Sequence, residues 1–226
     1  MTRSAEMDLP TLDEPCPLCD HRPAGLLHRT AGRSFWRCGN CALIFVPAKE
    51  RPDAAAEKAR YDLHENDPED PRYQRFLAPL CEAIVRATRP GAQGLDFGCG
   101  PGPALAAMLR RAGREVSLFD PYYAVEEEVW RRRYDFVAAS EVFEHLHQPR
   151  RELERIFGVL RAGGVLGIMT CMAPDSADAF AAWHYRRDPT HVCFYSRPVF
   201  AYIAARWGAA VDFPADHVVL LTRSER

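Results

Sequence analysis

The chain has 226 residues, 47% hydrophobic and 27% charged, with a formal net charge of −2. A near-neutral total excludes a general nucleic-acid or membrane-surface binder, and no apolar run approaches the roughly 20 residues of a membrane span. The first residues, MTRSAEMDLP, lack the apolar stretch of an export signal. Four of the eight cysteines are paired and four are scattered, so the expected compartment is the reducing cytoplasm.

The first predicted unit covers residues 14–48. CPLC and CGNC bring Cys16, Cys19, Cys38 and Cys41 as two Cys-x-x-Cys turns separated by 18 residues, the spacing of a four-cysteine zinc ribbon. Pro17 stiffens the first turn, and Gly39-Asn40 suits the positive φ of the second. Disulfides or a redox pair would not explain two such turns at zinc spacing. Roughly 35 residues bury little apolar surface, so the metal is expected to supply much of the stability. Arg22, Arg29, Arg33 and Arg37 stand against Glu14 and Asp20, too weak a basic balance for a nucleic-acid grip. Phe35, Trp36 and Phe45 are expected to cover the ribbon or dock it.

Residues 49–70 read as a charged, alanine-rich linker that turns helical after Pro52. Residues 71–226 read as one α/β domain. It opens with a helix over 71–90 whose apolar positions are Phe76, Leu77, Leu80, Ile84 and Val85, stopped by Pro90-Gly91. Short apolar strands then alternate with helices: GLDF, ALAAMLRRAG, EVSLFD, YDFVAAS, PRRELERIFGVLRAGG and VLGIMT. That order predicts a parallel sheet, and AAVDFPADHVVLLTR predicts an antiparallel hairpin closing it.

The sequence GLDFGCGPGP puts a glycine loop, Gly98-Cys99-Gly100-Pro101-Gly102, directly after the first strand. Pro103 stands where a dinucleotide fingerprint needs its third glycine, and no Gly-Lys-Ser/Thr phosphate loop is present. Asp96 would oppose a pyrophosphate but attract a ligand bearing an ammonium and a sulfonium. Asp120, 22 residues after Gly98 at the end of the second strand, can accept both hydroxyls of a ribose.

From about Tyr73 onward these residues resemble the class I S-adenosylmethionine-dependent methyltransferases: LDFGCGPG matches their first motif, and YDFVAASEVFEHL and LRAGGVLGIMT follow in the family's order. The resemblance implies a Rossmann-like sheet. It places Gly98, Cys99, Gly100 and Gly102 along the cofactor's methionine part, Asp96 near its amino group, Asp120 on the ribose and Glu141 beside the reactive end. Only 13 residues separate Asp120 from the strand at Tyr134, so the sheet is expected to be abbreviated between its second and fourth strands. The adenine contact therefore cannot be carried over; Tyr122 or Tyr123 either stacks there or packs. Arg131 to Arg133 read as a solvated face. FWRCGNCALIFVP is similar to the cysteine-rich leaders of many bacterial methyltransferases, and matches less well the zinc-ribbon enzymes that methylate ribosomal guanine.

Methyl transfer needs an aligned acceptor and, where required, a proton acceptor. Glu141, Glu144 and His145 share one face if SEVFEHLH makes a helical turn, which offers a divalent-cation site; His145 alone would anchor the loop or border the pocket. The segment AWHYRRDPTHVCFYSRPVF contributes His184 and His191 as candidate bases, while Asp188 and His191 equally suit a lid bonded to its own backbone. Ser196-Arg197-Pro198 reads as a helix start. Tyr61, His64 and Asn66 are candidates to cover the cofactor. The expected function is methylation of a small-molecule acceptor with no membrane partner. RNA methylation through the ribbon and a non-catalytic binding module are the alternatives.

Overall fold

The computed structural model describes residues 10–63 and 66–225; His64 lies outside them. The ribbon consists of β1 (Thr11–Leu12), β2 (Ala24–Arg29), β3 (Ser34–Cys38) and β4 (Ile44–Phe45), all antiparallel. The segment expected as a linker holds α1 (Ala54–Tyr61), whose Asp53 side chain caps the amide of Ala56 at 2.9 Å.

The α/β layer begins with α2 (Pro71–Ala87), started by Asp70, which caps Arg72, and by Pro71, whose missing amide hydrogen costs nothing there. The helix ends three residues before Pro90. Its buried stripe is Leu77, Leu80, Cys81 and Ile84, and burying each large aliphatic chain contributes about 1.5–3 kcal/mol. Phe76, expected on that stripe, is 45% exposed instead.

The remaining elements are β5 (Gln93–Phe97), α3 (Ala104–Arg111), β6 (Glu115–Phe119), β7 (Tyr134–Ser140), α4 (Pro149–Val159), β8 (Leu160–Met169), α5 (Ala177–Ala182), β9 (Cys193–Phe194), α6 (Arg197–Trp207), β10 (Ala209–Ala215) and β11 (Val218–Arg223). The sheet order is β10-β11-β8-β7-β5-β6. Strands β5 to β8 are parallel, and the β10–β11 hairpin adds antiparallel to β8, as its sequence predicted. A short 3-10 turn over 127–131 replaces the expected missing helix and strand, which leaves β6 at the edge. The order reverses between β5 and β7, so their carboxyl ends open a crevice beside the glycine loop. The helix preceding β8 stops at Val159, and the LRAGG stretch, expected at its end, already belongs to the strand.

Strand β9 does not join this sheet. It pairs with β4, Ile44 opposite Phe194 and Phe45 opposite Cys193, and so completes the ribbon's five-stranded sheet. Phe35 packs edge-on against Phe180 at 5.2 Å and Phe194 at 5.7 Å between ring centroids. The ribbon and the α/β layer therefore share one apolar core. Among the described residues no helix is long and apolar enough to cross a membrane.

Candidate active site

At the carboxyl end of β5, Gly98 and Gly100 adopt φ of +75° and +63°. A Cβ on Gly98 would stand 2.4 Å from the Val142 side chain, so both the backbone and the space demand glycine. The Gly98 amide donates to the Phe119 carbonyl at 2.7 Å, tying the loop to β6. Asp120 completes the tie. Its Oδ2 accepts the Gly100 amide at 3.0 Å, and its Oδ1 accepts the amides of Tyr122 and Tyr123 at 2.8 and 3.1 Å. A carboxylate has about four lone-pair positions, which leaves it acceptor capacity toward a ligand.

The loop and Asp120 form one end of a cavity of about 680 Å³, within the range of small-molecule sites. Gly98, Cys99, Gly100, Asp120, Glu141, His145 and His191 all line it. Asp96 and Gly102 stand behind the loop. Asp96 is buried and accepts the Ala106 amide at 3.2 Å, fastening the first turn of α3, and burial raises its carboxyl to about 7. A Cβ on Gly102 would lie 1.8 Å from the Asn66 carbonyl oxygen. His184 sits exposed on a 3-10 turn away from the cavity lining.

The opposite end is assembled from distant segments. Glu141 follows β7 in the left-handed region, φ +52°, with its amide donated to Met169 at 2.8 Å. A three-residue 3-10 turn over Phe143–His145 comes next, in place of the helical turn expected from Glu-x-x-Glu-His. Glu144 is wholly buried; its Oε2 accepts the Thr170 hydroxyl at 2.9 Å, and its Oε1 lies 2.5 Å from the Tyr185 hydroxyl. The same hydroxyl is 3.0 Å from Glu141 Oε2. Tyr185 has one hydrogen to donate, so it serves one carboxylate at a time. Burial, followed for Glu141 by the neighbouring Glu144 charge, raises both carboxyls well above the usual carboxylate range.

Two imidazoles face this pair. His145 Nδ1 donates to the Thr190 carbonyl at 3.1 Å, and His191 Nδ1 donates to the Tyr185 carbonyl at 2.7 Å. A carbonyl only accepts, so both neutral rings carry the lone pair on Nε2. Their rings meet edge to face at 4.8 Å. Burial and then the His145 neighbour lower His191 to about 4, and burial lowers His145 as well. Donor atoms of Glu144, His145 and His191 lie within 4.8 Å of one another. The cation group expected from Glu141, Glu144 and His145 is thus corrected: Glu141 lies outside the converging set, because its backbone turns before the 3-10 turn begins.

Asp188 accepts the Thr190 amide and hydroxyl at 2.9 and 2.6 Å, so this segment is bonded to its own backbone and also presents His191 to the cavity. Tyr61 and Asn66 line the cavity, as do Tyr122, Tyr123 and the exposed Phe76. Glu57 of α1 was invisible in an alanine-rich stretch. It is buried and holds Tyr122 and His147, at 3.2 and 2.6 Å, within the cavity lining. Tyr185 lies in the polar stretch and Thr170 at a strand end, but only the fold brings their hydroxyls to Glu144.

In the ribbon, Cys16 and Cys41 sulfurs are 3.5 Å apart, Cys19 and Cys38 3.4 Å, and all four lie within 4.8 Å of one another. Tetrahedral zinc with bonds of about 2.3 Å needs edges of about 3.8 Å, so the cluster is compatible with that ion.

No curated protein sequence matches this chain. Among solved structures, an O-methyltransferase family protein from Burkholderia thailandensis is similar, with TM-score 0.52 and 16% identity. The match covers 74% of this chain and 63% of that one, so the chain spans less than two thirds of its length. A SAM-dependent methyltransferase from Thermotoga maritima matches with TM-score 0.42, 12% identity, and coverage of 69% and 95%. Human N-acetylserotonin methyltransferase in complex with SAM matches with TM-score 0.48, 13% identity, and coverage of 67% and 53%. At these identities the likeness concerns the fold alone. Residues 70–212 match the family model described as a methyltransferase domain, and with well over half its length inside that match the chain belongs to this family.

Proposed function

We propose that the protein transfers the methyl group of S-adenosylmethionine to an acidic hydroxyl, phenolic or enolic, of a small molecule. The observation that carries this reading is one cavity with two chemically different ends: the glycine loop and Asp120 at one, Glu141, His145 and His191 at the other. The first end fits the cofactor. Asp120 retains acceptor capacity for ribose hydroxyls, and the carboxyls of Asp96 and Asp120 bear on the Cys99 position of the loop ahead of the Arg110 guanidinium. Bound there, the cofactor supplies a methyl group already activated by its positive sulfur.

The chain's own residues then orient the acceptor and take its proton. His191, neutral above about pH 4, presents Nε2 to the cavity, and His145 stands beside it. A base this weak suits an acceptor whose proton is already acidic, which is why phenols and enols are favoured over alcohols. Tyr61, Tyr73 and Phe76 give the same cavity an apolar, aromatic wall. The four cysteines would hold a structural zinc ion.

The ribbon's arginines support a small acceptor over RNA. Arg22 bonds the Asp13 carbonyl, Arg37 the Asp175 carbonyl, and Arg33 three carbonyls of the loop carrying His191. The test is calorimetric titration with S-adenosylmethionine of the wild type and Asp120→Ala, followed by a screen of phenols, enols and bulk RNA. Micromolar binding weakened about 10- to 100-fold by the substitution is expected, the size of a lost charged hydrogen bond. A folded protein that does not bind the cofactor would sink the reading.

A further inference from the structure

Arg33 occupies the β2–β3 hairpin turn of the ribbon, held there by Thr30, which accepts the Arg33 amide at 3.2 Å. Its half-buried guanidinium reaches into the other layer. Nη1 donates to the Asp188 carbonyl at 2.8 Å and the Arg186 carbonyl at 3.3 Å, and Nη2 donates to the His191 carbonyl at 2.5 Å. Among the described residues no carboxylate bonds this guanidinium; the Asp188 side chain is committed to Arg60 and Thr190. Its Nε is buried with no hydrogen-bond partner among the described residues, so the guanidinium is held by its three carbonyl bonds and by the nearby charges of Asp188 and Glu50. The planar fork closes across both ends of the Asp188–His191 turn, a geometry that the single point charge of lysine cannot reproduce.

The ribbon meets the same turn from the other side. The Val46 amide donates to the Val192 carbonyl at 2.9 Å, and the Val192 amide donates to the Glu144 carbonyl at 2.8 Å. With the β4–β9 pairing, His191 is thus gripped by ribbon backbone after it and by Arg33 across it. Its ring is anchored one residue before the clamped span: His191 Nδ1 bonds the Tyr185 carbonyl, and Arg33 holds the carbonyls of Arg186, Asp188 and His191 that follow it. We propose that Arg33 is a positioning residue for His191, so that the ribbon serves as a brace behind the acceptor end rather than as a substrate-gripping module. This rests on the methyltransferase reading for its functional meaning, but not for its geometry.

The test uses the full chain labelled with 15N-histidine, with the His191 signals assigned by their loss in His191→Gln. At fixed neutral pH the wild type should show His191 as one tautomer, proton on Nδ1 and lone pair on Nε2. Arg33→Gln should lose that single tautomer, and Arg33→Lys should recover it only in part. Cofactor affinity should stay within about twofold in both, and the zinc content should not change. A residue that merely stabilised the fold would leave the tautomer untouched. Chelation of the ribbon metal from the wild type is the second measurement, needing no variant; it should disorder His191 while cofactor binding persists. An unaltered His191 tautomer in folded Arg33→Gln, or after chelation, overturns the proposal. Loss of cofactor binding in the wild type would instead remove the methyltransferase reading and leave the His191 result to stand on its own.

Discussion

The two ends of the cavity are built on opposite principles. The proposed cofactor end is local: Gly98 to Gly100 lie in one loop, Asp120 closes it from the next strand, and the bonds between them are to backbone amides. The proposed acceptor end draws Glu144, Thr170 and the Tyr185–His191 stretch from three separate segments, and a ribbon arginine holds the last of them. A local site is specified by glycine placement and strand ends. A composite site exists only when the whole chain, ribbon included, is folded around it.

The contrast is sharpest for substitutions that touch one end. His191→Gln should leave cofactor affinity nearly unchanged while methyl transfer to the first phenol or enol acceptor found falls about 10²- to 10⁴-fold, the usual contribution of a positioned base. Equal loss of cofactor binding would show that the two ends are not separable. Behind the loop, Asp96 offers a pH test of the cofactor end. Its folded carboxyl sits at about 7, above its ordinary value of 3.8, so the native state holds this proton more tightly than the unfolded chain. Stability from this group is present in full below about pH 4 and declines as pH rises toward 7, by up to about 4 kcal/mol. Asp96→Asn retains an acceptor for the Ala106 amide and cannot ionise, so urea melts of the two proteins between pH 4 and 7 should diverge. Parallel pH dependences would refute the assignment.

Gly98→Ala is the next largest effect. A side chain at φ +75°, pressed on Val142, should weaken cofactor binding about 30- to 100-fold, worth roughly 2–3 kcal/mol. Calorimetry showing wild-type affinity would mean that the loop tolerates another backbone. The smallest change is expected on α1. Glu57→Gln keeps one hydrogen bond of the Tyr122–Glu57–His147 bridge but loses its charge, and about 1 kcal/mol of support for α1 should be lost. Faster amide exchange over residues 54–61, with unchanged exchange in the ribbon, is the measurement; protection equal to wild type would leave Glu57 without a role in supporting α1.

Legibility followed the same division. The strand, glycine loop and Asp120 could be read because local rules govern them: positive φ needs glycine, and a strand end in an open sheet faces the crevice. The lost strand was legible as well, since 13 residues cannot make a helix and a strand. His184 and His191 could not be told apart. Both lie in one polar stretch, yet a 3-10 turn exposes the first while the second lines the cavity. Glu-x-x-Glu-His suggested a helical turn, but Glu141 turned left-handed and His191 took its place in the converging set.

By itself the sequence determined the order of elements, the abbreviated parallel sheet with its closing hairpin, the cysteine cluster and the glycine loop, because each depends on periodicity, spacing or backbone freedom within a short window. Only the tertiary structure decided that β9 leaves the main sheet to complete the ribbon, that Glu57 bonds Tyr122 and His147, and that Arg33 bonds the His191 carbonyl. Those outcomes depend on contacts between residues far apart in the chain, whose energies no local pattern records.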